Sequence, residues 1–143
     1  MKTIYLVSCV KGKKEGYHQA KELYDSDRFR TARALVETTG ESWYILSAKY
    51  GLVAPEQEIA KYDKTLNNKK DMPIDERRRW SDQVFKSLQL ILEPGDKVII
   101  LAGQLYHEFL VDRLQKMGVT VEIPMKGMRQ GEQLQWMKKK LSL

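Results

Sequence analysis

Residues 43–66 read WYILSAKYGLVAPEQEIAKYDKTL. The first four are apolar or aromatic without alternation, as expected of a strand covered on both faces, and Ser47 ends the run. The pattern then breaks at Tyr50-Gly51, passes Pro55 and arrives at Tyr62-Asp63-Lys64. Residues 48–71 carry neither helical nor strand periodicity. Connections longer than ~12–15 residues without their own secondary structure are uncommon, and are usually functional or disordered. Disorder fits poorly, because Tyr50, Leu52, Val53, Ile59, Tyr62 and Leu66 are too many apolar side chains for a solvated segment. The connection is therefore expected to pack over a sheet edge. In open α/β sheets ligands bind outside the carboxyl ends of the strands, which is where this connection begins.

Three further apolar runs read as buried strands: residues 3–8, 97–102 and 119–123. Helical patterns separate them. One runs to about residue 38 behind Ser26, a good N-cap. Residues 71–92 place Pro73 in a first turn and Trp80, Val84, Leu88 and Ile91 on one stripe. Residues 104–117 repeat the pattern through Tyr106, Phe109, Leu110 and Leu114, with Gly118 as the stop. Residues 131–141 close the chain with Leu134, Met137 and Leu141 on one face. This order predicts a single α/β domain over residues 1–143. Its architecture is three-layer α/β/α with a mainly parallel central sheet of about four strands.

Composition narrows the class. An apolar content of 42% and a charged content of 31% over 143 residues describe a globular chain with a real core. No window approaches the roughly 18 apolar residues of a membrane helix. The opening MKTIYLVSCVKGKK has too short an apolar run for a signal peptide, and Lys11, Lys13 and Lys14 stand where a cleavage site would be. It reads as a first strand, so a cytoplasmic location is expected. Cys9 is the one cysteine, which excludes an internal disulfide and fits a reducing compartment. The net charge of +6 and pI near 9.3 have two readings. One is a basic solvated surface; the other is a polyanionic partner, bound with release of counterions. The clusters are Lys11/Lys13/Lys14, Lys69/Lys70, Arg77/Arg78/Arg79 and Lys138/Lys139/Lys140.

A parallel sheet brings its strand ends to one rim. That rim would carry Ser8, Cys9 and Lys11, then Ser47, Lys49 and Tyr50, then Gly103 and Tyr106, and finally Gln130 and Gln133. Cys9 is open to reading as a nucleophile or as a small strand-end residue. A phosphatase-type loop is not present, since Lys14-Glu15 stand where its arginine belongs. The glycines of KGKKEG do not form a P-loop. Two histidines and one cysteine give no zinc spacing, so neither a metal nor a cofactor is expected. Asp63 is either a water-positioning carboxylate or a turn aspartate. Lys49 is either an anion holder and amine nucleophile or a surface lysine. Tyr50, Tyr62 and Tyr106 either stack on a base or sugar or fill the core.

The segments LVSCVKGKK, LYDSDRFRTARALVE, WYILSAKYGLVAPEQEIAKYDKTL, LAGQLYHEFL and GMRQGEQLQWM together resemble a family of small bacterial and phage proteins carrying a domain of unknown function. The LSAKYGLVAP…YD pattern is also distantly similar to YaaA-like peroxide-stress proteins. The opening SC…K with LYDSDRFR is more faintly similar to the uracil-DNA-glycosylase-like domain of archaeosine synthases. The resemblance implies a uracil-DNA-glycosylase-like fold and a nucleic-acid or modified-base context. Position by position, its pattern falls on Ser8, Cys9, Lys11, Tyr24, Ser26, Ser47, Lys49, Tyr50, Gly51, Pro55, Tyr62, Asp63, Gly103, Tyr106, Gln130 and Gln133. The helix-hairpin-helix insertion of the larger YaaA-like proteins is missing from this chain.

On this reading the chain is a nucleic-acid- or nucleotide-directed enzyme of N-glycosidase type. Lys49 and the basic N-terminal loop would hold phosphate, tyrosines would stack, and Asp63 would steer water or stabilise an oxocarbenium-like centre. The alternative is a non-catalytic nucleic-acid or nucleotide-binding module of a stress or phage-related system. Both readings require Ser8, Lys11, Lys49 and Asp63 to converge on one pocket.

Overall fold

The computed structural model describes residues 1–142. Four strands are parallel: β1 (Thr3–Ser8), β3 (Ser42–Ser47), β6 (Lys97–Leu101) and β7 (Thr120–Glu122). They match the four apolar runs to within a residue or two. A fifth strand, β4 (Gly51–Val53), runs antiparallel along β3 and makes the sheet order β4-β3-β1-β6-β7. The expectation of about four strands missed it, because β4 is only three residues long and begins the segment that lacks periodicity. What forms it is a tight hairpin: Ser47 pairs with Gly51 across three residues, and Gly51 sits at φ +77°, a conformation that glycine adopts at little cost.

The long connection holds a second strand as well. β5 (Glu58–Ala60) pairs antiparallel with β2 (Tyr17–Gln19), so His18 faces Ile59 and Tyr17 faces Ala60. This two-stranded ribbon and the short helix α1 (Ala20–Leu23) form a cap outside the main sheet. The partners lie about forty residues apart, which is why period-2 reading of either segment alone does not reveal it. The connection is thus ordered by pairing, and only its last stretch is irregular.

Helix α2 (Asp27–Thr39) starts at Ser26, whose hydroxyl accepts from the Phe29 amide at 3.0 Å, and ends at left-handed Gly40. It packs with α6 (Gln130–Leu141) on one face of the sheet. The other face is covered by α3 (Ile74–Gln89), α4 (Gln104–His107) and α5 (Val111–Lys116). The single helix expected over residues 104–117 is broken in two. An i to i−3 bond from the Leu110 amide to the His107 carbonyl (2.9 Å) tightens the turn, and both His107 and Leu110 are buried there. Pro73 precedes α3 as its N-cap rather than entering its first turn. Phe29, Leu6, Ile45, Leu88, Ile100 and Leu114, drawn from every layer, are fully buried in one continuous core. Among the described residues no helix is long and apolar enough to cross a membrane.

The loop after β1 is docked by a close backbone approach. The Asp25 amide donates to the Gly12 carbonyl at 2.9 Å, and a Cβ on Gly12 would lie 2.6 Å from the Asp25 carbonyl oxygen. No side chain fits without backbone movement, so Gly12→Ala should cost about 1–3 kcal/mol in urea denaturation. Gly131→Ala, whose Cβ meets nothing and whose residue is helical, should leave stability unchanged or slightly raised.

Candidate functional site

The chain leaves β1 toward β3 on one side and returns to β6 on the other, so the strand order reverses between β1 and β6. Loops diverge at such a point and leave a crevice. A cleft of about 660 Å³ occupies it. The loop after β1 (Ser8, Cys9, Lys11) forms one wall and the loop after β6 (Gly103, Gln104, Tyr106) another. The first turns of α2 and α6 close it with Ser26, Arg28, Arg129, Gln130 and Gln133, and the end of the long connection adds Asn67 and Lys69. Gln130 Nε2 donates to Asn67 Oδ1 at 3.2 Å, joining α6 to that connection.

The charge of the cleft is one-sided. Lys11, Arg28, Lys69 and Arg129 line it, and among the described residues no carboxylate does. None of these four cations forms an ion pair among the described residues. Arg28 is the most enclosed. Its Nη1 donates to Ser8 Oγ at 3.1 Å and its Nη2 to Gln133 Oε1, both neutral acceptors, while its buried Nε finds no partner. Burial pulls the guanidinium's affinity for its proton below the ordinary value. The positive ends of α2 and α6 also meet here. The arrangement suits an anion, above all one that a guanidinium fork can grip.

Beneath the cleft a buried hydrogen-bonded floor fixes the loops. Cys9 Sγ lies 3.2 Å from Tyr106 Oη, which accepts from the Leu66 amide at 3.0 Å. The Ser47 hydroxyl donates to Tyr62 Oη at 2.8 Å and accepts from the Tyr50 amide at 3.0 Å. Tyr62 and Tyr24 share a 2.6 Å bond, and the Lys13 ammonium sits 4.2 Å from the centre of the Tyr62 ring. Burial raises the Tyr24, Tyr62 and Tyr106 phenols far above their ordinary range, so all three stay protonated. Burial also lowers Lys13.

The sequence-predicted site residues divide by position. Ser8, Cys9, Lys11, Gly103, Tyr106, Gln130 and Gln133 meet at the cleft. Tyr106 shows it only an edge, since it is buried and packs against Trp80 at 5.9 Å. Ser47 and Tyr62 are interior, and Tyr50 packs edge-on to Tyr62 at 5.4 Å. These tyrosines therefore build the floor instead of offering open faces for stacking. Lys49 stands outside the cleft. The β3–β4 hairpin carries it outward, exposed, with its ammonium 5.2 Å from the Tyr50 ring. Asp63 is exposed because insertion of Tyr62 into the core turns the next side chain outward. It lines a smaller recess of about 280 Å³ that shares Lys11, Asn67 and Asn68 with the cleft. The expected convergence of Ser8, Lys11, Lys49 and Asp63 on one pocket is thus met by Ser8 and Lys11, approached by Asp63 and not met by Lys49. The Arg77/Arg78/Arg79 cluster does not present three cations together, since Arg78 and Arg79 are exposed and Arg77 is not. Arg77 is buried on the Met72 carbonyl (2.7 Å) and Glu108, and Arg78 lies over the Phe109 ring. Among the described residues no group of three or more His, Cys, Asp or Glu could hold a metal.

Arg28 is the residue that sequence reading passed over. A signal was present: a cation in the first turn of a helix opposes the dipole, whereas Asp27 beside it does not. Such a misplaced charge calls for an anion.

A family model matches residues 4–139. The chain belongs to the family of unknown function DUF6884. No curated protein and no solved structure matches it. The DUF6884 match runs from within β1 to within α6, so the β1/β6 cleft and all its lining residues, Ser8 to Gln133, lie inside the family's own boundaries.

Two outcomes follow for this DUF6884 chain. Ser47→Ala removes the acceptor of the Lys49 and Tyr50 amides and the donor to Tyr62, and should cost about 1–3 kcal/mol by chemical denaturation. His107 is buried, and burial together with Lys126 lowers its pKa from the usual 6.5. The unfolded chain therefore takes up that proton first, and stability present above pH 6.5 is lost as the pH falls toward the lowered folded value. Unfolding midpoints measured from pH 8 to pH 5 should show this loss, and His107→Gln should flatten it.

Proposed function

We propose that this chain recognises a phosphate-bearing nucleotide or nucleic-acid ligand in the cleft between β1 and β6. The observation that carries the reading is Arg28, a partly buried guanidinium with neutral partners only, an unpartnered Nε, and three further cations around it. A buried charge without a counter-charge is costly, and an incoming phosphate removes that cost while taking a bidentate grip. The cleft volume falls within the usual range for small-molecule sites, about 300–1,000 Å³. Supporting it from the sequence are the resemblance to YaaA-like peroxide-stress proteins and archaeosine synthases, and the uracil-DNA-glycosylase-like fold which that resemblance implies. The non-catalytic binding module needs nothing beyond this cleft.

One observation favours the N-glycosidase reading in addition. The Asp63 recess opens beside the cleft, and Asp63 forms no ion pair among the described residues. A free carboxylate next to an anchored phosphate is placed to stabilise positive charge developing on a sugar, or to orient water toward it. Lys49 lies outside that arrangement, so the phosphate-holding role expected of Lys49 and the basic N-terminal loop falls to Lys11 of that loop.

Thermal unfolding with added inorganic phosphate, pyrophosphate or short oligonucleotides tests the binding. An anion at a hundred times its Kd stabilises by about 2.7 kcal/mol, several degrees for a chain of this length. Arg28→Gln should abolish that response while leaving the free protein as stable as before or more so, because it removes a desolvated charge. Absence of any response in the wild-type chain sinks the proposal. Release of free base from a panel of modified DNA and nucleotides, lost in Asp63→Asn with phosphate binding intact, would establish the glycosidase. Binding without release leaves the chain a recognition module.

A further inference from the structure

A third hollow, of about 500 Å³, opens from the cleft on the side away from Asp63. It shares Gly103, Gln104, Met128 and Gln133 with the cleft, so the two are chambers of one space. Its character differs. Ile123, Met125, Met128 and Val111 give it apolar walls, and His107 is buried at its side. Methionine walls adapt to flat, polarisable ligands, and sulfur–aromatic contacts are favourable. Five polar side chains line it: Glu108 is committed to Arg77, Gln133 to Arg28, and Lys126 is exposed, which leaves two neutral groups for directional bonding, exposed Gln104, which forms no side-chain hydrogen bond among the described residues, and His107. A glutamine amide presents a donor and an acceptor side by side, the pattern that pairs with the edge of a nucleobase. A neutral imidazole likewise offers one of each.

Taking the phosphate reading of the cleft as its base, we infer that the base of the bound nucleotide occupies this methionine-walled chamber, its edge read by Gln104 and His107. The ligand class is then a nucleoside phosphate or a nucleotide at a strand end, with its phosphate on Arg28 and its sugar passing Gly103. Gly103 has an ordinary backbone conformation, and a Cβ there would meet nothing. The space beside it is the passage between the chambers, kept open by the absence of a side chain. The Asp63 recess shares no lining residue with this chamber, so this placement carries the sugar away from Asp63; it deepens the recognition-module reading and not the glycosidase one, and substitution tells the two flanks apart.

Isothermal titration of the full chain with inorganic phosphate, ribose 5-phosphate and the four nucleoside 5′-monophosphates tests the assignment. At least one monophosphate should bind about tenfold tighter than ribose 5-phosphate, the order of one base-edge contact pair. Gln104→Ala, a change at an exposed position, should bring that affinity down toward the ribose 5-phosphate level, weakening the monophosphate about tenfold more than ribose 5-phosphate. Gly103→Leu, which fills the passage, should do the same, with melting curves confirming that the variant is folded. Monophosphates binding no tighter than ribose 5-phosphate would overturn the inference while leaving the phosphate site standing, as would equal weakening of both ligands in Gln104→Ala. Failure of every phosphorylated probe would remove the phosphate site, and this inference with it.

Discussion

Tyr62 is the fastening on which the functional end of this protein depends. Its ring is buried, its hydroxyl bonds Ser47 at the end of β3 and Tyr24 just before α2, and the Lys13 ammonium rests on its face. Three segments far apart in sequence are thereby held at one point. The three hydroxyls bond one another and the Lys13 ammonium donates to the Lys11 carbonyl at 3.2 Å, and polar groups so satisfied specify a single arrangement. Ser47 extends the group further, since its carbonyl accepts from Trp80 Nε1 of α3 at 2.8 Å. Together with the Gly12–Asp25 backbone bond and the Leu66–Tyr106 bond, this fastening positions the loop after β1 and the end of the long connection, two of the segments that wall the cleft.

Above that floor the design is reversed. The floor neutralises and satisfies its polar groups, whereas the cleft leaves cations without counter-charges and Arg28 Nε without a partner. Natural folds tolerate such local deficits mainly where function requires them. The contrast separates the two sets of candidates that the sequence placed together at the strand ends. Ser47, Tyr50 and Tyr62 hold the structure, and Ser8, Lys11, Gln130 and Gln133 face the ligand space.

The parallel core was legible because its strands are continuous apolar runs with an unambiguous period, and Ser26 announced its helix correctly. What escaped is non-local. β4 exists because Gly51 permits a hairpin, and β5 exists because β2 lies beside it; neither segment declares itself alone. The site followed the same division. Residues at the ends of β1 and β6 were readable because parallel topology forces them to one rim. The outward swing of Lys49, the exposure of Asp63 and the inward reach of Arg28 depend on how loops and helix termini turn, which periodicity does not encode. The basic clusters show the limit of charge counting, since Arg77 serves a buried ion pair and Lys138 pairs with Asp27.

The ribbon of β2 and β5 has a consequence for the order in which the protein assembles. Joining Tyr17 to Ala60 closes a long loop, and that entropic cost is recovered through a three-residue pairing, the flanking Ala20–Gln57, Lys21–Pro55 and Lys61–Gly16 backbone bonds, and the few buried side chains of the cap. The central sheet draws on many more fully buried side chains and on longer ladders. The cap is therefore the lower-stability unit, able to open while the sheet persists, and amide exchange would be fastest there. A ligand that touches both the β1 loop and the connection would close that unit. Occupancy would then register as slowed exchange at Tyr17–Gln19 and Glu58–Ala60, outside the cleft itself.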